Sequence, residues 1–178
     1  MKRTTMALAA AAVALLASTG SAQSGRPVTL GISAGAAIPA GEFADAYNTG
    51  YNGTVSVGFN SLGSPIGLRV DGMYNKFGGR DDLIGTQPDA RIIGANANLV
   101  YSLPGQGIRP YLIGGAGIYG LKTDIPSSEQ ITDFGVNGGI GAAFPLSGFN
   151  TFIEARFHHV FTENEATQFI PVTFGISF

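Results

Sequence analysis

The sequence predicts an all-β chain, an eight-stranded antiparallel up-and-down barrel that crosses a membrane with its strands. Three observations carry that prediction. The last eleven residues, Gln168 to Phe178, alternate strictly: Ile170, Val172, Phe174 and Ile176 are apolar, while Pro171, Thr173, Gly175 and Ser177 between them are small or weakly polar. Side chains alternate across a strand, so this stretch has one greasy and one small-polar face, and its length fits the 9–11 residues of a tilted spanning strand. The same alternation recurs along the chain, separated by connections that are by turns short and long. Charged residues make up only 12% of the 178 residues, about half the usual share for a soluble domain. A soluble exterior would need more charge.

The first residues carry an address. Lys2 and Arg3 precede a short apolar run from Met6 to Ala17, and Gly20 and Ala22 place small residues at the −3 and −1 positions of a cleavage site before Gln23. That is the layout of a secretory signal peptide over residues 1–22, leaving 23–178 as the barrel domain. Loss of the two basic residues gives the mature chain a charge of −4, with eight basic and twelve acidic residues. Nothing in that balance suggests a nucleic-acid partner. Cysteine is absent, which excludes disulfides, thiolate zinc sites and a lipid anchor on an N-terminal Cys. No later segment approaches the ~18 uninterrupted apolar residues of a transmembrane helix, so a membrane-embedded form must be a barrel.

The first strand sets Val28, Leu30, Ile32, Ala34, Ala36 and Ile38 against Thr29, Gly31, Ser33 and Gly35. Pro39 to Phe43 is expected to break it and open a loop to about Gly50. The second strand turns Tyr51, Val55, Val57 and Phe59 one way and Asn52, Thr54, Ser56 and Gly58 the other, ending in the compact turn 60–65. Leu68, Val70 and Tyr74 oppose Arg69, Asp71, Met73 and Asn75 on the third strand, followed by a polar loop from Gly78 to Asp89. The fourth sets Ile93, Ala95, Ala97, Leu99 and Tyr101 against Gly94, Asn96, Asn98 and Ser102. The fifth, Arg109 to Leu121, is undecided, since Ile113 and Tyr119 compete with Leu112, Ala116 and Ile118. The sixth shows Phe134, Val136, Ile140, Ala142 and Phe144 against Asp133, Gly135, Asn137, Gly139 and Gly141. The seventh sets Ile153, Ala155, Phe157 and Phe161 against Glu154, Arg156 and His158, and a short acidic loop leads to the last strand.

Short turns near 60–65, 103–107 and 145–149 alternate with longer polar loops at 39–50, 78–90, 122–131 and 162–167. An even strand number with this asymmetry is the pattern of barrels with short periplasmic turns and longer extracellular loops. The C-terminal strand, with Phe178 preceded by Phe174 and Ile176, resembles the ending of bacterial outer-membrane barrels. That resemblance implies an assembly signal read by the barrel-assembly machinery. The mature chain as a whole resembles the small outer-membrane proteins of the OmpA and OmpX kind, without a periplasmic peptidoglycan-binding domain. Outer-membrane location and contact with outer-membrane lipids follow as expectations.

Arg69, Asp71, Asp133, Glu154, Arg156 and His158 fall on the polar face and nearly balance in charge, so a paired polar network filling the lumen is expected. An eight-stranded barrel is just wide enough to be filled by side chains, which favours a closed interior over a gate. His158 and His159 invite comparison with the outer-membrane lipid A deacylase, whose resemblance would require a His-x-Ser motif; here His158 is followed by Val160 and His159 by Phe161. Adjacent strand residues face opposite ways, so the two histidines cannot chelate one metal. No catalytic, cofactor-binding or metal site is therefore expected. Tyr51, Tyr74, Tyr101, Phe59, Phe77 and Phe144 lie near strand ends, where interfacial aromatic girdles form. The acidic residues Glu42, Asp45, Asp81, Asp82, Asp89, Asp124, Glu129, Glu163 and Glu165 fall in the outer loops, as solvated charge or as a contact for an extracellular ligand. The expected role is a non-enzymatic structural or surface-interacting envelope protein. The alternatives are a narrow porin-like channel, a lipid-acting enzyme and a soluble lipocalin-like binder.

Overall fold

The computed structural model describes residues 28–60, 64–82, 85–86, 88–105, 107–124, 131–162 and 166–178. The segment 1–22 read as a signal peptide lies outside them, as do Glu129, Glu163 and Glu165. Eight strands form the wall: β1 (Val28–Ala40), β2 (Tyr47–Asn60), β3 (Ile66–Gly79), β4 (Ala90–Ser102), β5 (Arg109–Thr123), β6 (Ile131–Pro145), β7 (Asn150–Val160) and β8 (Thr167–Ser177). Each pairs antiparallel with its sequence neighbours, and β1 closes the barrel against β8. Closure satisfies every strand edge, which a spanning sheet requires.

The alternation read from the sequence decides the two faces. Val55, Val136 and Phe174 are 56%, 40% and 60% exposed, while Asn52, Asp71, Asn96 and Glu154 are 4% exposed or less. The oily side chains point outward and the polar ones are sealed within, the inverse of a lipocalin. On β5 the undecided residues separate cleanly: Leu112 and Ile118 face out, and Tyr111, Ile113 and Tyr119 face the lumen.

Two features differ from the sequence reading. The expected loop 39–50 is much shorter. Strand β1 continues through Pro39, which faces Phe169 of β8, to Ala40; proline lacks an N–H, but near a strand's end the ladder loses little by it. Gly41 then turns the chain at a φ of 57°, a left-handed conformation that favours glycine. One helical turn, α1 (Phe43–Ala46), leads directly into β2. In the 78–90 connection a two-residue ribbon pairs Asp81–Asp82 with Gly85–Thr86.

The ladder joining β8 to β1 runs without interruption from Gly31–Ser177 to Ala40–Gln168. Between β8 and β7 the pairing instead skips from Phe169–His158 to Val172–Ala155, passing over Ile170 and Pro171.

Candidate functional site in the barrel lumen

The lumen is filled in layers. Towards the short turns, two arginines and two carboxylates form a neutral ring. Arg69 donates from Nη1 to Glu154 Oε2 and from Nη2 to Glu154 Oε1, both at 2.8 Å, the bidentate geometry in which guanidinium and carboxylate bind strongly. Its Nε lies 3.0 Å from Asp71 Oδ1. Arg156 donates from Nη1 to Asp71 Oδ2 at 2.7 Å and places Nε 2.9 Å from Glu154 Oε1. Asn98 Nδ2 donates to Asp71 Oδ2 at 2.9 Å, and the Tyr111 hydroxyl donates to Glu154 Oε2 at 2.7 Å.

Topology explains why this ring spans the interior. Strands β3, carrying Arg69 and Asp71, and β7, carrying Glu154 and Arg156, are four places apart in a ring of eight, so they stand on opposite walls. The Arg69–Glu154 pair is a brace across the full width of the lumen. Room for it comes from β6, where Gly139 and Gly141 face inward: a Cβ at Gly139 would collide with Arg156, and one at Gly141 with the Tyr111 ring.

Above the ring lies an amide layer. Asn52 Nδ2 donates to Asn75 Oδ1 at 2.7 Å, Thr54 Oγ1 donates to Asn52 Oδ1 at 3.1 Å, and Asn96 Nδ2 lies 3.2 Å from the Met73 sulfur. Towards the long loops the filling becomes apolar. Ala37, Met73, Phe77, Ala90, Ile92, Tyr119, Val160 and Phe169 form a buried cluster, with Phe43 of α1 and Tyr47 packed on it. Phe77 meets Phe169 and Phe43 edge-on at centroid distances of 5.7 and 5.0 Å.

Of the six residues expected in the polar network, Arg69, Asp71, Glu154 and Arg156 converge. His158 stands apart from the ring: its Nδ1 shares a 2.9 Å hydrogen bond with the Tyr119 hydroxyl, and its ring stacks on Phe169 at 4.8 Å. Asp133, partly buried near the outer end of β6 and opposite Tyr119, has no ion pair among the described residues. The sequence places Asn98 and Met73 on the polar face but gives no sign that Asn98 and Tyr111 join the ring or that Met73 belongs to an apolar plug. It also places Phe77 in an outer girdle, whereas Phe77 is fully buried; its parity on β3, shared with Arg69, Asp71, Met73 and Asn75, already pointed inward. His159 faces outward, with Nδ1 3.1 Å from Gln168 Nε2. At the C-terminus Phe174 and Phe178 are exposed on the outer wall, and the Phe178 backbone exchanges hydrogen bonds of 2.8 and 3.0 Å with Leu30.

Among the loop acids, Asp89 and Asp124 are not free. Lys76 Nζ lies 2.8 Å from Asp89 Oδ2, and Arg91 pairs with Asp124. Gly79 N–H also donates to Asp89 at 3.2 Å. The Lys76 ammonium and then this amide hold the Asp89 carboxyl below its ordinary value of 3.8. No three carboxylates or histidines converge as a metal cluster among the described residues.

An apolar exterior, a closed antiparallel wall and a polar interior define an integral outer-membrane β-barrel protein. The chain belongs to the outer membrane protein beta-barrel domain family, whose model matches residues 5–178, and it is a protein of the bacterial outer membrane. Among solved structures, the chain is similar to Neisserial surface protein A (NspA), at 13% identity and a TM-score of 0.65, covering 87% of this chain and 98% of that one. It is also similar to the outer membrane protein OprG of Pseudomonas aeruginosa, at 13% identity and a TM-score of 0.55 over 89% and 99% of the two chains. The outer membrane enzyme PagL is similar at 14% identity and a TM-score of 0.53 over 84% and 98%. At these identities the likeness concerns the fold. No curated protein matches the sequence.

Proposed function

We propose that the protein is a non-enzymatic envelope protein with a structural or surface-interacting role, its outer loops being the interacting face and its lumen closed. The observation that carries this reading is the cross-lumen brace of Arg69 and Glu154, overlain by the plug around Phe77 and Phe169. A stack of paired charges and interlocked rings leaves little to move, and His158 has a tyrosine and a phenylalanine for neighbours rather than a nucleophile. In planar bilayers the purified protein is expected to show no steady conductance. Stable channels in the wild type would overturn the closed-lumen reading.

A second reading, a narrow channel, draws support from buried polar atoms beneath the plug that have no hydrogen-bond partner, among them Asn96 Oδ1, Asn98 Oδ1 and His158 Nε2. Conductance that appears in the wild type and rises in Arg69→Ala would favour it. The C-terminal strand is the proposed contact for the assembly machinery, through the outward Phe174, Ile176 and Phe178. Removing Phe178 should lower assembled protein in cells while leaving refolding in detergent intact. Equal yields in cells would remove that role.

A further inference from the structure

The outer wall carries an arrangement that neither the lumen nor the loops explain. Strand pairing sets residues in rows around the barrel, and one row contains, side by side, Tyr51, Lys76, Arg91 and Lys122 on β2, β3, β4 and β5. All four are in the lipid-facing register. Three adjacent cations directly opposite one another repel; Asp89 and Asp124 offset two of them, leaving one positive charge in excess. Lys122 is exposed and has no ion pair among the described residues. The Lys76 and Arg91 side chains keep 31% and 41% of their surface open.

The next row towards the short turns is Phe174, Ala34, Gly53, Tyr74 and Ile93 on β8, β1, β2, β3 and β4, and the row after it includes Ile32, Val55 and Gly72. Gly53 and Gly72 make the floor of a groove of 740 Å³ in the outer wall, sided by Ile32, Val55, Tyr74, Ile93 and Phe174. Two residues along a strand are about 7 Å, so the cations stand that far beyond the groove's outer edge. On β3 the apolar outward run from Ile66 to Tyr74, tilted about 40°, rises about 20 Å, so Lys76 falls at the edge of the roughly 25 Å apolar band. Cations there meet headgroups, and the groove meets acyl chains.

We infer that this face of β8 and β1–β5 is a binding site for a phosphorylated lipid of the outer leaflet. The phosphate lies against Lys76, Arg91 and Lys122, and an acyl chain lies in the groove over Gly53 and Gly72. The site depends on the membrane location and is independent of whether the lumen conducts.

Native mass spectrometry of the protein released from micelles doped with phosphatidylglycerol or phosphatidylcholine tests both halves. Wild type should retain phosphatidylglycerol preferentially. Each of Lys76→Gln, Arg91→Gln and Lys122→Gln should cut that preference by about fivefold, the share of one basic side chain near an anionic surface. The control Arg109→Gln, at the opposite rim, should leave it unchanged. Gly53→Leu, at a site where an added Cβ meets nothing within 4 Å, should weaken retention of both lipids while the charge preference persists. Heat-modifiable gel mobility reports whether each variant is folded. Equal retention of the two lipids by wild type, an Arg109→Gln effect as large as the others, or full competition by inorganic phosphate would each overturn the proposal.

Discussion

The two ends of the lumen hold the same wall together by different means. Towards the short turns, Arg69, Asp71, Glu154 and Arg156 span the barrel with charge; towards the long loops, Phe77, Tyr119, Val160 and Phe169 fill it with apolar volume. Charges inside a barrel have given up water, so each is secure only while its partner remains. Rings in the plug depend on shape, and losing one costs transfer and cavity energy but strands no charge. The same fold thus contains one region that is brittle to the loss of a single partner and one that degrades in proportion to the volume removed.

Glu154→Ala should give the largest effect. It leaves Arg69 and Arg156 sharing only Asp71, and a loss of about 3–5 kcal/mol is expected in urea unfolding from phospholipid vesicles followed by gel mobility. The double replacement Arg69→Met with Glu154→Met should recover most of it, because no charge is then orphaned. If the double variant is as unstable as the single, the brace is not an electrostatic device. Phe169→Ala should cost about 3 kcal/mol in the same assay, and its deficit should not change with salt; a salt-dependent deficit would erase the contrast between the two ends. Tyr119→Phe sits at their junction. It keeps the ring but strands His158 Nδ1, and a loss of about 1–2 kcal/mol is expected; no loss would mean the hydroxyl contributes only bulk.

The smallest effect belongs to the rim. Because Lys76 and the Gly79 amide depress the Asp89 carboxyl in the folded state, its contribution is present above the ordinary carboxylate value and disappears as pH falls through the folded one. Acidification should lower the protection factor of the Gly79 amide, its exchange measured against the intrinsic rate at the same pH, and Asp89→Asn should abolish that pH dependence while leaving the barrel's unfolding midpoint nearly unchanged.

How much of this was legible follows from what a period of two encodes. The outward face from Val55 to Phe174 and the eight strands could both be read, because local alternation determines which way a side chain points. The brace could be read only as a set of inward charges. That Arg69 reaches Glu154, 85 residues away, while Asp133 joins neither depends on where closure puts β3 and β7. Sorting faces by polarity hides the plug: Phe77 and Phe169 share parity with lumen residues, yet as apolar side chains they read as lipid contacts, and Tyr119 leaves its strand undecided. Parity, followed without regard to chemistry, would have found them. The length of β1 was hidden by Pro39, a residue that reads as a breaker but sits where the strand tolerates it.

Pro171 gives the cylinder an uneven seam. The last strand is stitched to the first by a continuous series of pairs but to its predecessor by a series with a gap at Ile170 and Pro171. A force peeling the sheet open therefore meets less resistance between β7 and β8 than at the junction where the circle closes. Unzipping should start beside the proline, with the two chain ends still joined to each other as the hoop parts.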